Sequence, residues 1–526
     1  KDEVLDIIYK VRLFGLHFAS LDIRQDSRVH HNVFKEIVSH PEIQNFTKGL
    51  VENYLDLDSN ERCKSLVKIT GDVPPSIFHD QITNQTLQSI RSMQIIQNTN
   101  GEKGSNRYII STCQTLENIL ELFAMCRLSN WKEPNVDFIP LFETITDLEK
   151  SEEVMRELFN NLIYKNHLAR RKMKQTVMLG FSDGTKDGGY FMANWSIYLA
   201  KENLSKLASE FGIQIAFFDG RGGPPARGGG NTHEFYASMG DTIQSDDIQL
   251  TVQGQTISSN FGTLDSSQYN LEQLLSSGIE NQIFNPGKNN LSSNDKLLME
   301  SIAALSYRAY KNFKAHPMFI PYLERMSTLP YYAKANIGSR PTKRGKSTSL
   351  QFEDLRAIPF VGSWSQLKQN VPGFFGLGIA LQTIIDQGKI NDLKNLYKSS
   401  RFFRTLIFNS MMSLSKSFFK LTAYMKDDNE FGCFWKLIYK EYTLAKKVLL
   451  DISGFESLMQ NEPAVKASIK AREEIVQPLL TIQQFALMQL QNLKNQKTIK
   501  KEKIEVFEAM VTRSLFGNIN ASRNSA

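Results

Sequence analysis

Seven short apolar runs, each bordered by residues able to carry chemistry, constrain the fold of this chain more than any other feature. The runs at 18–23, 108–110, 138–142, 177–181, 213–218 and 248–252 end in turn at Arg24, at Ser111, at Glu143, at Ser182 with Asp183, at Asp219 with Arg221, and at Gln253 with Gly254. The seventh, 357–361, follows Arg356 and precedes Trp364 and Gln366. Between them lie longer stretches with helical spacing, among them 116–127, 192–211 and 294–316. Short buried strands alternating with helices predict an α/β core with a parallel sheet. Polar residues gathered at C-terminal strand ends fit a TIM-like (β/α)8 barrel, whose site is built from those ends. Seven runs are one short of eight, and the chain opens on a lysine in mid-pattern. The expectation is a fragment whose first strand is absent.

The pattern changes near residue 366. The stretch 366–508 is almost wholly helical in spacing, with long amphipathic runs at 402–425, 435–452 and 475–493. The stripe Phe403, Ile407, Met411, Leu414 and Phe418 reads as helix core rather than a cofactor box. Two regions are therefore expected in a mostly α protein: barrel strands and helices over 1–365, and a helical layer over 366–526.

At 526 residues the chain exceeds the usual size of a single core. Its charge of +7, from 62 basic against 55 acidic residues, suits anionic metabolites but is too diffuse to argue for nucleic acid. The densest basic run, 494–503, holds five lysines with no aromatic among them and reads as a solvated loop. Cys63, Cys113, Cys126 and Cys433 have no metal-ligand spacing and are too few for a disulfide framework, which points to a reducing cytosol. No apolar run is long enough to span a bilayer, so no membrane partner is expected.

The segment after the fifth run is the clearest candidate site. Six of the eleven residues from Gly220 to Gly230 are glycine, and Arg221 and Arg227 stand six apart. Glycines let backbone N–H groups approach a ligand, and guanidinium forks match phosphate or carboxylate oxygens. Together they suit a small, multiply charged anion. Glu143 and Asp183 sit at the ends of separate predicted strands, and one or two carboxylates with substrate oxygens and water can hold a hard divalent ion. A strand-end carboxylate is equally a cap or a salt-bridge partner. Lys186, three residues after Asp183, adds an anion partner beside it.

These residues recur within an ordered set: Leu21-Asp22-Ile23-Arg24-Gln25, Pro140-Leu141-Phe142-Glu143, Gly180-Phe181-Ser182-Asp183 with Lys186-Asp187, Gly220-Arg221-Gly222-Gly223 with Arg227-Gly228-Gly229-Gly230, Thr251-Val252-Gln253-Gly254, Asn336-Ile337-Gly338-Ser339-Arg340-Pro341, Leu355-Arg356-Ala357-Ile358-Pro359, and Arg523-Asn524. In this order they resemble the C-terminal portion of phosphoenolpyruvate carboxylase, from about Phe14 to the last residue. The resemblance implies a homotetrameric (β/α)8 enzyme that makes oxaloacetate and phosphate from phosphoenolpyruvate and bicarbonate with Mg²⁺ or Mn²⁺. It implies Glu143 and Asp183 as metal ligands, Arg24, Arg221, Arg340 and Arg356 around phosphate and carboxylate, and Lys186 near the reacting groups. The segment 338–349 is expected to act as a mobile lid. The resemblance also implies a second site for aspartate or malate, formed by Arg227, Lys416, Arg472 on the predicted 471–484 helix, and Asn524.

Two departures stand out. Where the family usually has His before Gly-Arg-Gly-Gly, this chain has Asp219. The family's Thr-Ala-His-Pro-Thr motif, with the histidine expected to act as general base, occurs nowhere in the chain. His233 is the nearest histidine to the glycine loop, and a structural hydrogen-bonding role is expected for it. The chain on its own is accordingly expected to be inactive. Two other readings stay open: a non-catalytic sensor of C4 dicarboxylates, and another metal-dependent barrel enzyme acting on phosphorylated enol or keto acids.

Overall fold

The structure, a computed structural model, describes residues 2–284, 287–334, 352, 355–494 and 501–522. Arg340, Asn524 and the expected lid at 338–349 lie outside the described residues, as does most of the basic run, of which 501–503 begin a helix. The protein is 68% helical, with a six-stranded parallel sheet and a large C-terminal helical layer. By its contacts the chain divides into two compact units. The first comprises Lys1–Gly180, Ala200–Asp219 and Gln244–Gln249; the second comprises Phe181–Leu199, Gly220–Ile243 and Leu250–Ala526.

The first unit carries the sheet. Its strands are β1 (Asp22–Asp26), β2 (Arg107–Ser111), β3 (Asp137–Phe142), β4 (Lys174–Leu179), β5 (Gln214–Asp219) and β6 (Ile248–Leu250), in that spatial order. Parallel neighbours need long crossovers, and helices such as Ser27–Ser39, Leu116–Leu128 and Ile145–Asn160 supply them. Caps make the change from strand to helix abrupt. Asp26, the last residue of β1, accepts from Arg28 N at 3.0 Å. Thr144 and Asp147 form a reciprocal capping box directly after Glu143.

The sheet curls into an open half-barrel whose edges are 13 Å apart. Paired strands lie about 4.8 Å apart, so the gap is roughly what two further strands would fill. This is the geometry of an incomplete (β/α)8-like barrel.

Three strand expectations change. The run 177–181 was expected to carry Asp183 at a strand end, but β4 stops at Leu179 and Asp183 lies on the helix Phe181–Gly188. The run 18–23 was expected to deliver Arg24 after its end, but β1 begins at Asp22 and Arg24 lies within it, paired in register with Ile109. The run 357–361 is not a strand; it opens the helix Ala357–Gln366. A five-residue apolar run does not distinguish a buried strand from a buried helix. The decisive positions lie further on, because Ala357, Phe360, Val361, Trp364 and Leu367 are all buried and recur at helical spacing. Pro359 falls in the first turn, where a missing N–H costs nothing. Among the described residues the sheet thus has six strands rather than seven.

The second unit is built on an aromatic core. Phe313 stacks on Phe375 at 4.0 Å between ring centroids and on Phe434 at 5.2 Å, with Phe319 and Trp364 around them. Phe403, Ile407, Met411 and Leu414 are buried along the helix Arg401–Ser415, as core positions. The expected 402–425 helix stops at Ser415 and resumes as the 3-10 segment Phe419–Asp427.

Candidate active site

In the first unit, parallel register sets three strand ends level: Phe142 pairs with Leu179, and Leu179 with Asp219. Glu143 lies one residue beyond that level and is buried. Its Oε1 accepts from Arg24 Nη2 at 3.0 Å, and its Oε2 from the backbone N–H of Thr112 at 3.1 Å. Thr112 holds that N–H in place with φ of +56°, an unusual conformation for a β-branched residue that costs about 1–3 kcal/mol. Gly180 is needed beside it, since a Cβ there would come 2.9 Å from the Glu143 Cα. Two residues predicted separately from the sequence, Arg24 and Glu143, are thus brought together by β1, β2 and β3.

Asp219, the last residue of β5, is 1% exposed, and its Oδ2 accepts from Lys201 Nζ at 2.7 Å. Lys201 was not singled out from the sequence. The signal was present: Lys201 shares a helix face with Ile197, Leu204 and Ala208, all fully buried.

In the second unit the glycine loop folds back on itself. Gly222 N donates to Arg227 O at 3.0 Å and Gly230 N to Gly223 O at 3.1 Å. The chain passes itself so closely that a Cβ on Gly229 would lie 2.1 Å from Gly222 O, which explains the glycine density. Arg221 is 4% exposed, its guanidinium lies 4.0 Å from the Phe235 ring centroid, and its Nε donates to Gly228 O at 3.1 Å. Its Nη1 and Nη2 are buried with no hydrogen-bond partner among the described residues. Arg221 lines a cavity of about 360 Å³, together with Gly222, Gly223, Gly230, His233 and the 251–253 segment. His233 approaches Glu234 at 3.4 Å and Glu280 at 3.8 Å.

Arg227 is buried, and desolvation brings its pKa down to about 10 while the nearby Asp183 favours the charged form. Asp183 and Lys186 lie on the short helix Phe181–Gly188. Lys186 Nζ donates to Leu355 O at 2.5 Å, beside Arg356, which caps the helix Ala357–Gln366.

The second unit also gathers Lys368, Lys416, Arg472 and Glu473 around a cavity of about 40 Å³ whose wall includes Pro224, Pro225 and Ala226, just before Arg227. Glu473 accepts from Lys368 at 2.6 Å. Burial lowers the Lys416 pKa to about 8, and the charges of Lys368 and Arg472 add to the effect. Of the four expected effector residues, Lys416 and Arg472 share this wall; Asn524 lies outside the described residues.

Among the described residues, His31, Glu117 and Glu121 have donor atoms within 4.8 Å of one another, close enough to hold a divalent ion. They lie on the helices Ser27–Ser39 and Leu116–Leu128 rather than at strand ends, and Arg62 pairs with Glu117 at 3.1 Å. Burial pushes Glu121 up to about 7, against the opposing effect of His31. No sequence spacing pointed to this group. Among the described residues no helix is long and apolar enough to cross a membrane.

Fold and strand-end chemistry define an α/β half-barrel protein with acidic and basic groups at the C-terminal ends of its strands. A family model described as phosphoenolpyruvate carboxylase matches residues 1–521, and the chain belongs to that family. The span overturns two expectations. The similarity does not begin at Phe14 or stop at a C-terminal portion, because the match reaches the first residue. The inference that the chain lacks the family's catalytic region and is inactive on that account falls with it.

Proposed function

We propose that this protein carboxylates phosphoenolpyruvate with bicarbonate, giving oxaloacetate and phosphate. The observation that carries the reading is Arg221, a buried guanidinium with two unpartnered nitrogens on a glycine-walled cavity large enough for a small metabolite. A buried fork of that kind calls for an anionic partner. Family membership narrows the anion to phosphoenolpyruvate.

In the proposed reaction a bicarbonate oxygen attacks phosphorus and the bond from phosphorus to the enol oxygen breaks. Carboxyphosphate and the pyruvate enolate result. Carboxyphosphate then divides into CO₂ and phosphate, and the enolate carbon captures CO₂. Arg221 and Arg24 are assigned to the phosphate and carboxylate oxygens, with Lys186, Arg340 and Arg356 as further cationic partners. Groups fixed in advance stabilise charge as it develops. Glu143 and Asp183 are the proposed ligands of Mg²⁺ or Mn²⁺. The hard oxygen donor and burial of Glu143 suit such an ion, which would supply Lewis-acid stabilisation at the reacting oxygens. The test is product analysis with phosphoenolpyruvate, with and without bicarbonate. Oxaloacetate should form only when bicarbonate is present, whereas pyruvate alone would point to another reaction of the same substrate.

The cluster of Lys416, Arg472 and Lys368 is the proposed effector site for aspartate or malate, working with Arg227 and Asn524. Its cavity has room for roughly two or three waters and not for a four-carbon diacid, so binding requires the Glu473 carboxylate to leave Lys368. Losing one charged partner from such a site costs about 2–5 kcal/mol. Arg472→Ala should therefore raise the half-inhibitory concentration of aspartate or malate roughly 30-fold or more, with the uninhibited rate near normal. Unchanged sensitivity would place the effector elsewhere. A homotetrameric assembly belongs to the same proposal and can be read from the mass in solution.

A further inference from the structure

The buried pair of Lys201 and Asp219 has no counterpart in the motifs above and is not used by the reaction just described. Its geometry is well defined. Asp219 ends β5, level with Phe142 on β3, whose next residue is Glu143. Lys201 reaches it from the helix Tyr190–Glu210 at 2.7 Å, and the two side chains are 4% and 1% exposed. Lys201 Nζ also lies 5.3 Å from the Phe217 ring centroid, which favours a cation there.

Removing two charges from water is costly unless they are well paired, and an apolar pair of similar volume would often be as stable. Hydrophobic packing therefore does not account for a lysine buried on this helix face. The strand-end position does. An isolated Asp219 carboxylate would repel a substrate pair made of two anions. Paired with Lys201, the same carboxylate is held in one orientation and contributes no net charge.

We propose that Lys201 is a positioning residue for this reaction, which fixes Asp219 and cancels its charge at a strand end where the family usually has a histidine. The inference rests on the carboxylase reading. It explains how an acidic residue can stand at that position without excluding the substrates. The cation comes from a neighbouring helix instead of from the strand-end residue itself.

The experiment compares the full chain with Lys201→Met, Lys201→Arg, Asp219→Asn and the double variant Lys201→Met/Asp219→Asn. The readouts are kcat, KM for phosphoenolpyruvate and for bicarbonate, and thermal melting. Lys201→Met removes the lysine partner of a buried carboxylate, so kcat/KM should fall by about 100-fold, with at least part of the loss in KM for the anions. The double variant removes that carboxylate's charge as well and should recover to within about tenfold of the parent. Lys201→Arg should retain most of the activity.

Kinetics unchanged in Lys201→Met, with only the melting temperature lowered, would overturn the inference and leave a purely structural pair. A double variant no better than Lys201→Met would also overturn it, since the two residues would not act as a unit. If the parent protein forms no oxaloacetate at all, the carboxylase reading fails first. An active parent with an indifferent Lys201→Met sinks this inference alone.

Discussion

Replacing Glu143 by Gln should lower turnover by about 100-fold or more and weaken Mn²⁺ binding in the same variant. A metal ligand supplies several kcal/mol of stabilisation at the reacting oxygens, and each 1.36 kcal/mol is a factor of ten in rate. Gln keeps the shape of the side chain and an oxygen for the Thr112 N–H, so the strand-end geometry is preserved. What it removes is the negative charge. Arg24 loses its ion-pair partner at the same time, and a modest fall in melting temperature should follow. The two effects separate the competing roles of Glu143. A carboxylate that served only Arg24 would change stability and leave Mn²⁺ affinity untouched, whereas a ligand changes both. Titration of Mn²⁺ by electron paramagnetic resonance, alongside a coupled rate assay, reads them independently.

The second large effect is expected at Arg221. Arg221→Met should cost about 2–5 kcal/mol of substrate interaction, seen as a loss of roughly 30-fold to several thousand-fold in kcat/KM for phosphoenolpyruvate. Arg221→Lys should recover little of it, because a lysine reproduces neither the planar fork nor the stacking on Phe235. Either change should leave the protein folded, since Nη1 and Nη2 have no partner among the described residues to lose, although Arg221→Met also gives up the Nε hydrogen bond to Gly228 O. The cation–π contact is worth about 0.5–2 kcal/mol and the hydrogen bond about 0.5–1.5 kcal/mol, so a lower melting temperature should accompany the kinetic loss in Arg221→Met. Wild-type kinetics in Arg221→Met would remove the residue from the substrate site.

The strand and helix alternation was legible because buried parallel strands are nearly continuous apolar runs, and β2 to β5 each overlap such a run. Two strand-end residues were legible too, since parallel topology sends every C-terminal end the same way. Glu143 and Asp219 were found by that rule alone. The helix Ala357–Gln366 was mistaken for a strand because its first five residues carry no period, and its helical spacing emerges only at Trp364 and Leu367. Arg24 was placed past the end of its strand, because the apolar run starts before the strand does, and β1 begins only at Asp22. Lys201 and Thr112 were missed for different reasons. A single lysine on an apolar face gives a weak pattern signal, and the left-handed backbone of Thr112 leaves no trace in its residue type. The His31, Glu117 and Glu121 group joins two helices far apart in the chain, and no local spacing predicts it.

The central claim is that bicarbonate attacks the phosphorus of phosphoenolpyruvate on this protein and its carbon ends in a four-carbon acid. It is tested most directly with bicarbonate labelled with ¹³C and ¹⁸O. The protein, made in a host without its own phosphoenolpyruvate carboxylase, is supplied with Mg²⁺ or Mn²⁺, and products are read by mass spectrometry. The account predicts ¹³C in oxaloacetate and one bicarbonate-derived ¹⁸O in each phosphate released, in equal amounts. Phosphate without bicarbonate oxygen, or pyruvate without any ¹³C-labelled oxaloacetate, would contradict it.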